Sequence, residues 1–283
     1  MQKTIKLNDS NSIPQFGLGV YQIEPGEATY KAVYDAIKQG YRHIDTAHAY
    51  QNERSVGEAV RAAIADGLVT REEIWITSKL WITDYTDPEA MNKTLDRLGL
   101  EYVDLMLLHQ QFGDYVAGYK LLEKAKELGQ VRSIGLSNFD ERLDDLLANT
   151  TVPPAITQVE LHPYHQRRRL KERMAPLGTV FESWYPLGHG DPKLLSEPAI
   201  VAAAEAHGKT PAQALLRWHI QEGNVVFPRT TNPAHMAENI DIFDFELSPE
   251  EQAAISALDR DRGYYDVPLE EMEARFSTFV PAD

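Results

Sequence analysis

Eight short apolar runs alternate with amphipathic stretches along this chain of 283 residues, and this alternation restricts the fold more than any other feature. The runs are continuous and rich in β-branched residues, which is typical of parallel strands buried on both faces. They comprise Phe16–Val20, Tyr41–Ile44, Ile74–Thr77, Val103–Leu108, Val131–Leu136, Pro154–Val159, Thr179–Trp184 and Val225–Phe227. Eight strands separated by helices, with no linker, predict an α/β fold in which one domain, residues 1–283, forms a closed (β/α)8 TIM barrel. An open doubly wound sheet is the alternative.

Capping residues indicate where the helices between these strands begin. Helices are predicted near Thr70, Asp87, Thr210 and Ser248, where a capping side chain is followed by Pro or by Glu at capping-box spacing. The helix at Ser248 follows the eighth strand and is an extra C-terminal helix. Residues Ile5–Pro14 contain a turn-forming Asn-Asp-Ser-Asn sequence and predict a β-hairpin. We expect this hairpin to cap the N-terminal end of the barrel.

Composition excludes several classes of function. The chain has no cysteine, so disulfides, thiol nucleophiles and Cys-ligated metals are excluded. Its formal net charge of −15 disfavours a nucleic-acid or anionic-membrane partner. No apolar stretch approaches the roughly 18 residues of a membrane helix, and residues Met1–Lys6 lack the apolar region of a signal peptide. These features predict a cytoplasmic protein, and we expect a monomer.

Polar or aromatic residues follow almost every predicted strand. In a barrel, these positions converge on the C-terminal rim, where the chemistry of such folds is located. In chain order they are Asp45 with Tyr50 in the following loop, Lys79, His109, Ser137 with Asn138, Gln158, Trp184, and Arg229 with Thr230. Each residue has an ordinary structural explanation by itself, but their convergence on one rim indicates a site.

Four of these side chains can act together on a carbonyl group. Tyrosine has a pKa of about 10, and a nearby ammonium such as that of Lys79 is expected to lower the pKa of Tyr50 by about 1–3 units. Asp45 would keep Lys79 charged and oriented. A neutral His109 could donate a hydrogen bond to a carbonyl oxygen. A general acid without a nucleophile or metal suits hydride transfer, provided that a hydride donor binds.

Other chemistries find less support in the sequence. A Gly-x-Ser-x-Gly nucleophile motif is absent, and Gly188-His189-Gly190 lacks the Lys and Ser/Thr of a P-loop. The histidines at positions 43, 48, 162 and 165 lack the carboxylate spacing of a metal site, so none is predicted.

The motifs around these residues resemble the aldo-keto reductase family. In order along the chain, they are Gly40–Ala47 with Tyr50 and Asn52-Glu53, Thr77–Trp81, Val103–His109, Gly135–Phe139, Gln158–Pro163 and Glu238-Asn239. They extend over nearly the whole chain, from about residue 5 to residue 260. Within the family, Glu182-Ser183-Trp184 and the short C-terminus are most similar to the bacterial branch of 2,5-diketo-D-gluconate reductases.

The resemblance implies NAD(P)H-dependent reduction of aldehydes or ketones to alcohols without a Rossmann domain. It implies that Tyr50 is the general acid, that Lys79 and Asp45 tune it, and that His109 orients the carbonyl. It further implies a cofactor site in which Ser137, Asn138 and Gln158 bind the carboxamide, Trp184 stacks on the nicotinamide, Leu187 and Gly188 approach the pyrophosphate, and Glu238 and Asn239 hold the adenine.

Two departures from the family pattern affect specificity. His109 is followed by Gln110 and Gln111 where the family commonly has Trp-Pro, so a wall of the substrate site becomes polar. This change suggests small or hydroxylated substrates, such as keto-sugars or dicarbonyls. Tyr21 and Trp81 would form the aromatic walls of the site.

The second departure lies in the expected 2′-phosphate pocket. Where the family usually has Lys-Ser and a later Arg, this chain has Arg229, Thr230 and His235. Arg229 retains bidentate phosphate binding, but a histidine is only fractionally protonated at neutral pH. We therefore expect NADPH to be preferred by a reduced margin, with NADH also used.

Two other functions and one structural question remain open at this stage. The same fold could serve as a cofactor-binding regulatory protein, or as an isomerase or lyase using Lys79 as a Schiff-base amine. The tail residues Phe276 and Phe279 could fold over the active site or merely pack on the barrel.

Overall fold

The computed structural model describes residues 3–282. Met1 and Gln2, the first residues of the segment in which no signal peptide was found, lie outside the described residues. Asp283, the last residue of the predicted domain, also lies outside them.

Eight parallel strands form the sheet at the centre of the molecule. They are Leu18–Gly19 (β3), His43–Asp45 (β4), Trp75–Leu80 (β5), Val103–Leu108 (β6), Val131–Ser137 (β7), Ile156–Glu160 (β8), Val180–Trp184 (β9) and Val225–Val226 (β10). Two earlier strands, Thr4–Lys6 (β1) and Ser12–Pro14 (β2), form a separate sheet. Strands β3 to β10 pair in chain order, and every pairing between them is parallel.

Backbone pairing across the first and last of these strands closes the barrel. Phe16 forms a parallel bridge with Val226, just before β3 begins. The Gly17 amide donates to the Val226 carbonyl at 2.8 Å, and the Val226 amide donates to the Gln15 carbonyl at 2.9 Å. The predicted closed barrel is therefore confirmed, and the open sheet is wrong.

The helices surround this barrel. They are Glu27–Lys38 (α1), Glu53–Ala65 (α2), Ala90–Leu98 (α3), Tyr115–Glu127 (α4), Leu143–Asn149 (α5), Arg168–Met174 (α6), Pro192–Leu195 (α7), Pro198–His207 (α8), Pro211–Gln221 (α9), Pro233–Ile240 (α10), Pro249–Ser256 (α11) and Leu269–Ser277 (α12). Within residues 3–282, no helix has the length and apolar character needed to cross a lipid bilayer.

The capping signals predicted some helix starts correctly and misjudged others. Thr210 and Ser248 each form a complete capping box, at the start of α9 and α11. Thr70 also forms one, but it begins only the short 3-10 helix Arg71–Glu73 because β5 starts at Trp75. Asp87 closes a turn, accepting from the Glu89 amide at 2.9 Å, and α3 begins after it. Helix α12, beyond the predicted last helix, was not expected.

The predicted N-terminal hairpin is present and covers the N-terminal end of the barrel. Strands β1 and β2 pair antiparallel. The Asn8 side-chain amide donates to the Pro154 and Leu177 carbonyls, both at 3.0 Å, in the segments that lead into β8 and β9. Leu7 and Ile13 of the hairpin pack into an apolar cluster with residues of the barrel interior. The hairpin therefore seals the end opposite to the rim on which the predicted site residues lie.

Helices α2 and α3 approach each other closely at Gly57. A Cβ atom added there would lie 1.8 Å from the Leu98 carbonyl oxygen. We expect Gly57→Ala to destabilise the protein by about 1–3 kcal/mol, because overpacking outweighs the helix-propensity gain of roughly 1 kcal/mol. Urea unfolding measures the change, with Glu58→Ala on the exposed side of α2 as the control. A stabilising Gly57→Ala would contradict this account.

Candidate active site

A cavity of ≈ 1260 Å³ opens at the C-terminal rim of the barrel. Its lining includes most of the residues predicted from the strand ends: Tyr21, Asp45, Tyr50, Trp81, His109, Gln110, Gln111, Ser137, Asn138, Gln158, Trp184, Leu187 and Arg229. Lys79 is fully buried beneath this surface. The structure therefore brings the four residues predicted to act on a carbonyl to one place.

The register of β4 and β5 positions the buried charges. Asp45 pairs with Thr77 across the two strands. Side chains two positions apart on a strand share a face, so Lys79 projects into the barrel beside Asp45. The Lys79 Nζ lies 2.7 Å from the Asp45 Oδ1, 2.8 Å from the Thr46 carbonyl oxygen and 3.2 Å from the Tyr50 hydroxyl. These three contacts match the three N–H groups of an ammonium, which disfavours a free Schiff-base amine.

The pKa of Tyr50 is displaced in the direction opposite to the expected one. Burial raises the pKa of Tyr50 well above its usual value, and the neighbouring charge of Asp45 adds to the increase. The predicted lowering by Lys79 is therefore wrong for the resting site, because burial of the hydroxyl and the charge of Asp45 both favour the protonated phenol. Burial also raises the pKa of Asp45, against opposing contributions from Lys79 and Gln158. Tyr50 thus carries its proton at neutral pH.

His109 is a neutral ring in an aromatic environment. Burial lowers the pKa of His109 well below its usual value, and the charge of Lys79 lowers it further. Its ring centroid lies 5.5 Å from that of Tyr50 and 5.2 Å from that of Trp81, in edge-to-face arrangements. The Tyr21 and Tyr50 centroids are 5.0 Å apart. A neutral imidazole and a protonated phenol therefore face the cavity together.

A second set of predicted residues lies beside these rings, along β7, β8 and β9. Asn138 has a left-handed backbone, with φ 58°. Its amide nitrogen donates to the His109 carbonyl at 3.2 Å, and its Oδ1 accepts from the Trp184 indole at 2.9 Å. The Gln158 Nε2 donates to the Asp45 Oδ2 at 2.8 Å. Ser137, at the end of β7, pairs with Gln158 in register.

The residues predicted to bind the far part of a cofactor lie further out. Arg229 lines the cavity and is exposed, with its Nη1 3.5 Å from the Gln22 carbonyl oxygen. Gly188, Thr230, His235, Glu238 and Asn239 do not line the cavity, and the last three lie on α10. The Glu238 Oε1 accepts from the Thr210 hydroxyl at 2.8 Å, which joins α10 to the start of α9.

The two glutamines that follow His109 differ in what they present to the cavity. The Gln111 Oε1 accepts from the Asp140 and Arg142 amides, both at 3.1 Å, and its Nε2 donates to Glu141 at 2.5 Å. The Gln110 backbone amide and carbonyl both bond to the Tyr85 hydroxyl. The Gln111 amide group therefore holds the loop after β7, and both glutamines line the cavity.

The C-terminal tail folds over the active site, which settles the alternative left open by the sequence. The Trp81 indole donates to the Phe279 carbonyl at 2.9 Å. The Phe276 and Phe279 ring centroids lie 5.5 and 5.6 Å from that of Trp81. The tail thus completes an aromatic wall whose other members come from the barrel loops.

Several residues at the rim were not singled out from the sequence. Glu160, at the end of β8, accepts from the Tyr264 and Tyr265 amides at 2.5 and 3.1 Å and fixes the segment that leads to the tail. Tyr185, with φ 58°, packs edge-to-face on Trp184. Glu160 lies in the quoted Gln158–Pro163 motif, but Tyr264 and Tyr265 lie about a hundred residues later in the chain, so spacing gave no signal for these two contacts.

The histidines weighed as a metal cluster each have a different hydrogen-bond partner. The Nε2 of His43 lies 2.9 Å from the Thr77 hydroxyl, the Nδ1 of His48 lies 2.8 Å from Asp84, and the Nε2 of His162 lies 3.0 Å from Glu160. Among residues 3–282, no group of three or more His, Cys, Asp or Glu side chains is arranged to hold a metal ion.

The ion pair between Lys79 and Asp45 should respond to substitution as a unit. We expect Asp45→Asn or Lys79→Met alone to cost about 3–5 kcal/mol of stability, because each leaves an unpaired buried charge. The double variant should cost clearly less than the sum of the two. Urea unfolding of the three variants at neutral pH measures this coupling, and additive losses would show that the pair does not exist as described.

Comparison with known proteins identifies the fold's relatives. The model of the aldo/keto reductase family matches residues 15–260. A protein of Mycolicibacterium smegmatis described as an aldo-keto reductase is 46% identical over 266 residues, which cover 92% of this chain and 94% of the relative. A protein of Yersinia pestis described as methylglyoxal reductase DkgA is 42% identical over 264 residues, covering 92% of this chain and 94% of that protein. This similarity is consistent with the bacterial branch of the family that the sequence motifs indicate.

A further sequence relative and a solved structure are similar to this chain over most of its length. A protein of Pseudomonas putida described as morphine 6-dehydrogenase is 42% identical over 273 residues, covering 90% of each chain. The crystal structure of an aldo/keto reductase from Brucella melitensis superimposes with a TM-score of 0.85 at 41% identity, and covers 92% of this chain and 100% of that one. Since both the family model and these relatives span most of its length, the chain belongs to the aldo/keto reductase family of NAD(P)H-dependent oxidoreductases.

Proposed function

We propose that this enzyme reduces aldehydes and ketones to alcohols with NADPH and that Tyr50 donates the proton. The observation that carries the proposal is the contact between the Tyr50 hydroxyl and the Lys79 ammonium, at 3.2 Å, at the floor of the cavity. A phenol in this position can donate a proton to the oxygen of a carbonyl compound bound in the cavity. The phenolate that remains is stabilised by the Lys79 ammonium.

The cavity offers what a nicotinamide cofactor requires. Asn138, Ser137 and Gln158 present amide and hydroxyl groups along one side, where a carboxamide can be hydrogen-bonded. Trp184 lines the same cavity, with its indole nitrogen fixed on Asn138 at 2.9 Å, and can stack on a nicotinamide ring. Leu187 and Gly188 would approach the pyrophosphate, and Glu238 and Asn239 would hold the adenine.

The reaction then divides between the cofactor and the chain. When bound, the reduced nicotinamide supplies a hydride to the carbonyl carbon. The neutral His109 donates a hydrogen bond to the carbonyl oxygen and fixes its approach. Tyr50 transfers its proton to that oxygen, and Lys79 balances the charge that appears on the phenol oxygen. The high pKa of Tyr50 at rest keeps this proton in place until negative charge develops on the oxygen.

The shape of the substrate site favours small carbonyl compounds with an apolar or aromatic part. Tyr21 and Trp81 form its walls, the tail closes one side, and Gln110 remains as the polar group beside His109. Dicarbonyls, the class of compound in the name of the methylglyoxal reductase relative, fit this combination, and keto-sugars would use Gln110. We further propose that the enzyme acts as a monomer in the cytoplasm, with residues 1–283 as one domain.

The proton donor can be tested by removing one oxygen atom. We expect Tyr50→Phe to lower kcat for an aldehyde such as glyceraldehyde by about 10²–10⁴-fold, the contribution of a positioned general acid. Cofactor binding, followed by fluorescence titration, should remain nearly unchanged. Tyr34→Phe on α1 is the matched control, since that hydroxyl bonds to Asp66 on the outer surface. A Tyr50→Phe variant with most of its rate would show that another group donates the proton.

We propose that Arg229, Thr230 and His235 bind the 2′-phosphate, and the preference for NADPH over NADH tests this assignment. We expect the wild-type enzyme to favour NADPH modestly in kcat/KM. His235→Arg should widen this ratio by roughly tenfold, which is the effect of about one charge-assisted hydrogen bond to phosphate. The rate with NADH is the internal control, because that cofactor lacks the 2′-phosphate. A wild-type preference for NADH, or an unchanged ratio in the variant, would contradict the assignment.

A further inference from the structure

Beneath the catalytic ion pair, the barrel interior contains a second carboxyl group. Glu182 on β9 is completely buried, and it lies directly opposite Gln158 in the pairing of β8 with β9. The Gln158 Nε2 donates to the Glu182 Oε2 at 3.0 Å and to the Asp45 Oδ2 at 2.8 Å. One amide nitrogen therefore bridges two buried carboxyl groups.

The charges that face Glu182 do not allow both carboxyl groups to be ionised. Strand β4 contributes Asp45 and His43, β5 contributes Lys79, and β8 contributes the uncharged Gln158. The neighbouring strand β10 consists of two valines. Burial lowers the pKa of His43 to about 3, so this ring is neutral, and Lys79 is the one cation of the group. Lys79 contacts Asp45 directly at 2.7 Å, which makes Asp45 the ionised partner.

Burial raises the pKa of Glu182 to about 8, and the charge of Asp45 contributes to the increase. Glu182 is therefore a neutral carboxylic acid at neutral pH. Its environment explains why: a second carboxylate in a water-free interior would have no cation to pair with.

The bridge also fixes the orientation of the Gln158 amide. An ionised carboxylate accepts hydrogen bonds and cannot donate them, so the nitrogen of Gln158 must face Asp45. The other hydrogen of that nitrogen goes to Glu182. The Gln158 Oε1 is thereby left as the atom available to the cavity, which Gln158 lines.

We propose that Glu182 is a positioning residue which, as a neutral acid, locks the Gln158 amide for cofactor binding and holds the net charge beneath Tyr50 constant. This inference rests on the reductase function proposed above. When Glu182 loses its proton, a second negative charge appears beside Asp45. That charge opposes the formation of phenolate on Tyr50, so proton donation should weaken as the pH rises.

Both stability and activity should therefore depend on pH through this group. The ordinary pKa of the Glu182 carboxyl is 4.5, and the folded value is about 8. The folded state holds the proton more tightly than the unfolded chain. The contribution of Glu182 to the free energy of unfolding is therefore fully present below the ordinary pKa of 4.5 and is lost as the pH rises to the folded value of about 8. Reductive kcat should fall as the pH passes through the upper value.

Glu182→Gln tests whether Glu182 is protonated at neutral pH, because the amide side chain keeps an acceptor for Gln158 and cannot ionise. Relative to the wild type, we expect the folding equilibrium constant of this variant to gain about tenfold per pH unit between about pH 5 and pH 8. The alkaline fall in kcat should disappear. Asp9→Asn on the N-terminal hairpin is the control for stability: burial is outweighed by hydrogen bonds from Lys126, Ser133 and Asn11, which lower the pKa of Asp9, so its stability difference should stay constant over this range.

Glu182→Met tests the positioning role. It should lose the same pH dependence of stability but bind NADPH roughly tenfold more weakly in fluorescence titrations, whereas Glu182→Gln should stay within about twofold of the wild type. A Glu182→Gln variant with the wild-type pH dependence of stability would overturn the neutral acid. Unaltered NADPH binding by Glu182→Met would overturn the positioning role. If the wild-type protein loses stability as the pH rises over this range but does not reduce any carbonyl compound, the proposed reductase function is overturned. The assignment of Glu182 as a neutral acid is then still supported.

Discussion

The buried ion pair of Lys79 and Asp45 is the interaction on which the rest of the site depends. Both groups are removed from water, and the cost of desolvation is offset only when geometry and hydrogen bonding are nearly complete. The contacts at 2.7 Å to Asp45, 2.8 Å to the Thr46 carbonyl and 3.2 Å to Tyr50 meet this condition. The pair therefore fixes the position of the phenol as well as its own.

The same requirement for charge balance extends to the whole interior layer of the barrel. One cation lies among two carboxyl groups and the imidazole rings of His43 and His109, and both rings are neutral because burial lowers their pKa values. Lys79 and Asp45 thus compensate each other inside the barrel of a protein whose formal net charge is −15. Chemistry that moves one proton can then be accommodated without a large electrostatic change, because below the pKa of Glu182 the surrounding groups keep their protonation states.

Much of the candidate site could be predicted from the sequence because parallel strands in a closed barrel end at one rim. The positions of Asp45, Lys79 and His109 after apolar runs were sufficient to place them together. The direction of the Tyr50 pKa could not be predicted, because it depends on how completely the barrel and Asp45 cancel the charge of Lys79. The contacts of Gln111 could not be predicted either, since its amide bonds to the backbone of residues 140 and 142 in the next loop.

The sequence by itself determined the alternation of strands and helices, the order of the rim residues and the terminal hairpin, because these features follow from local periodicity and turn chemistry. Only the tertiary structure decided which buried groups meet. Gln158 bridges Asp45 and Glu182, which are separated from it by 113 and 24 residues, and Trp81 bonds to a tail carbonyl 198 residues away. Such contacts arise from closure of the barrel and from the path of the tail, which no local pattern encodes.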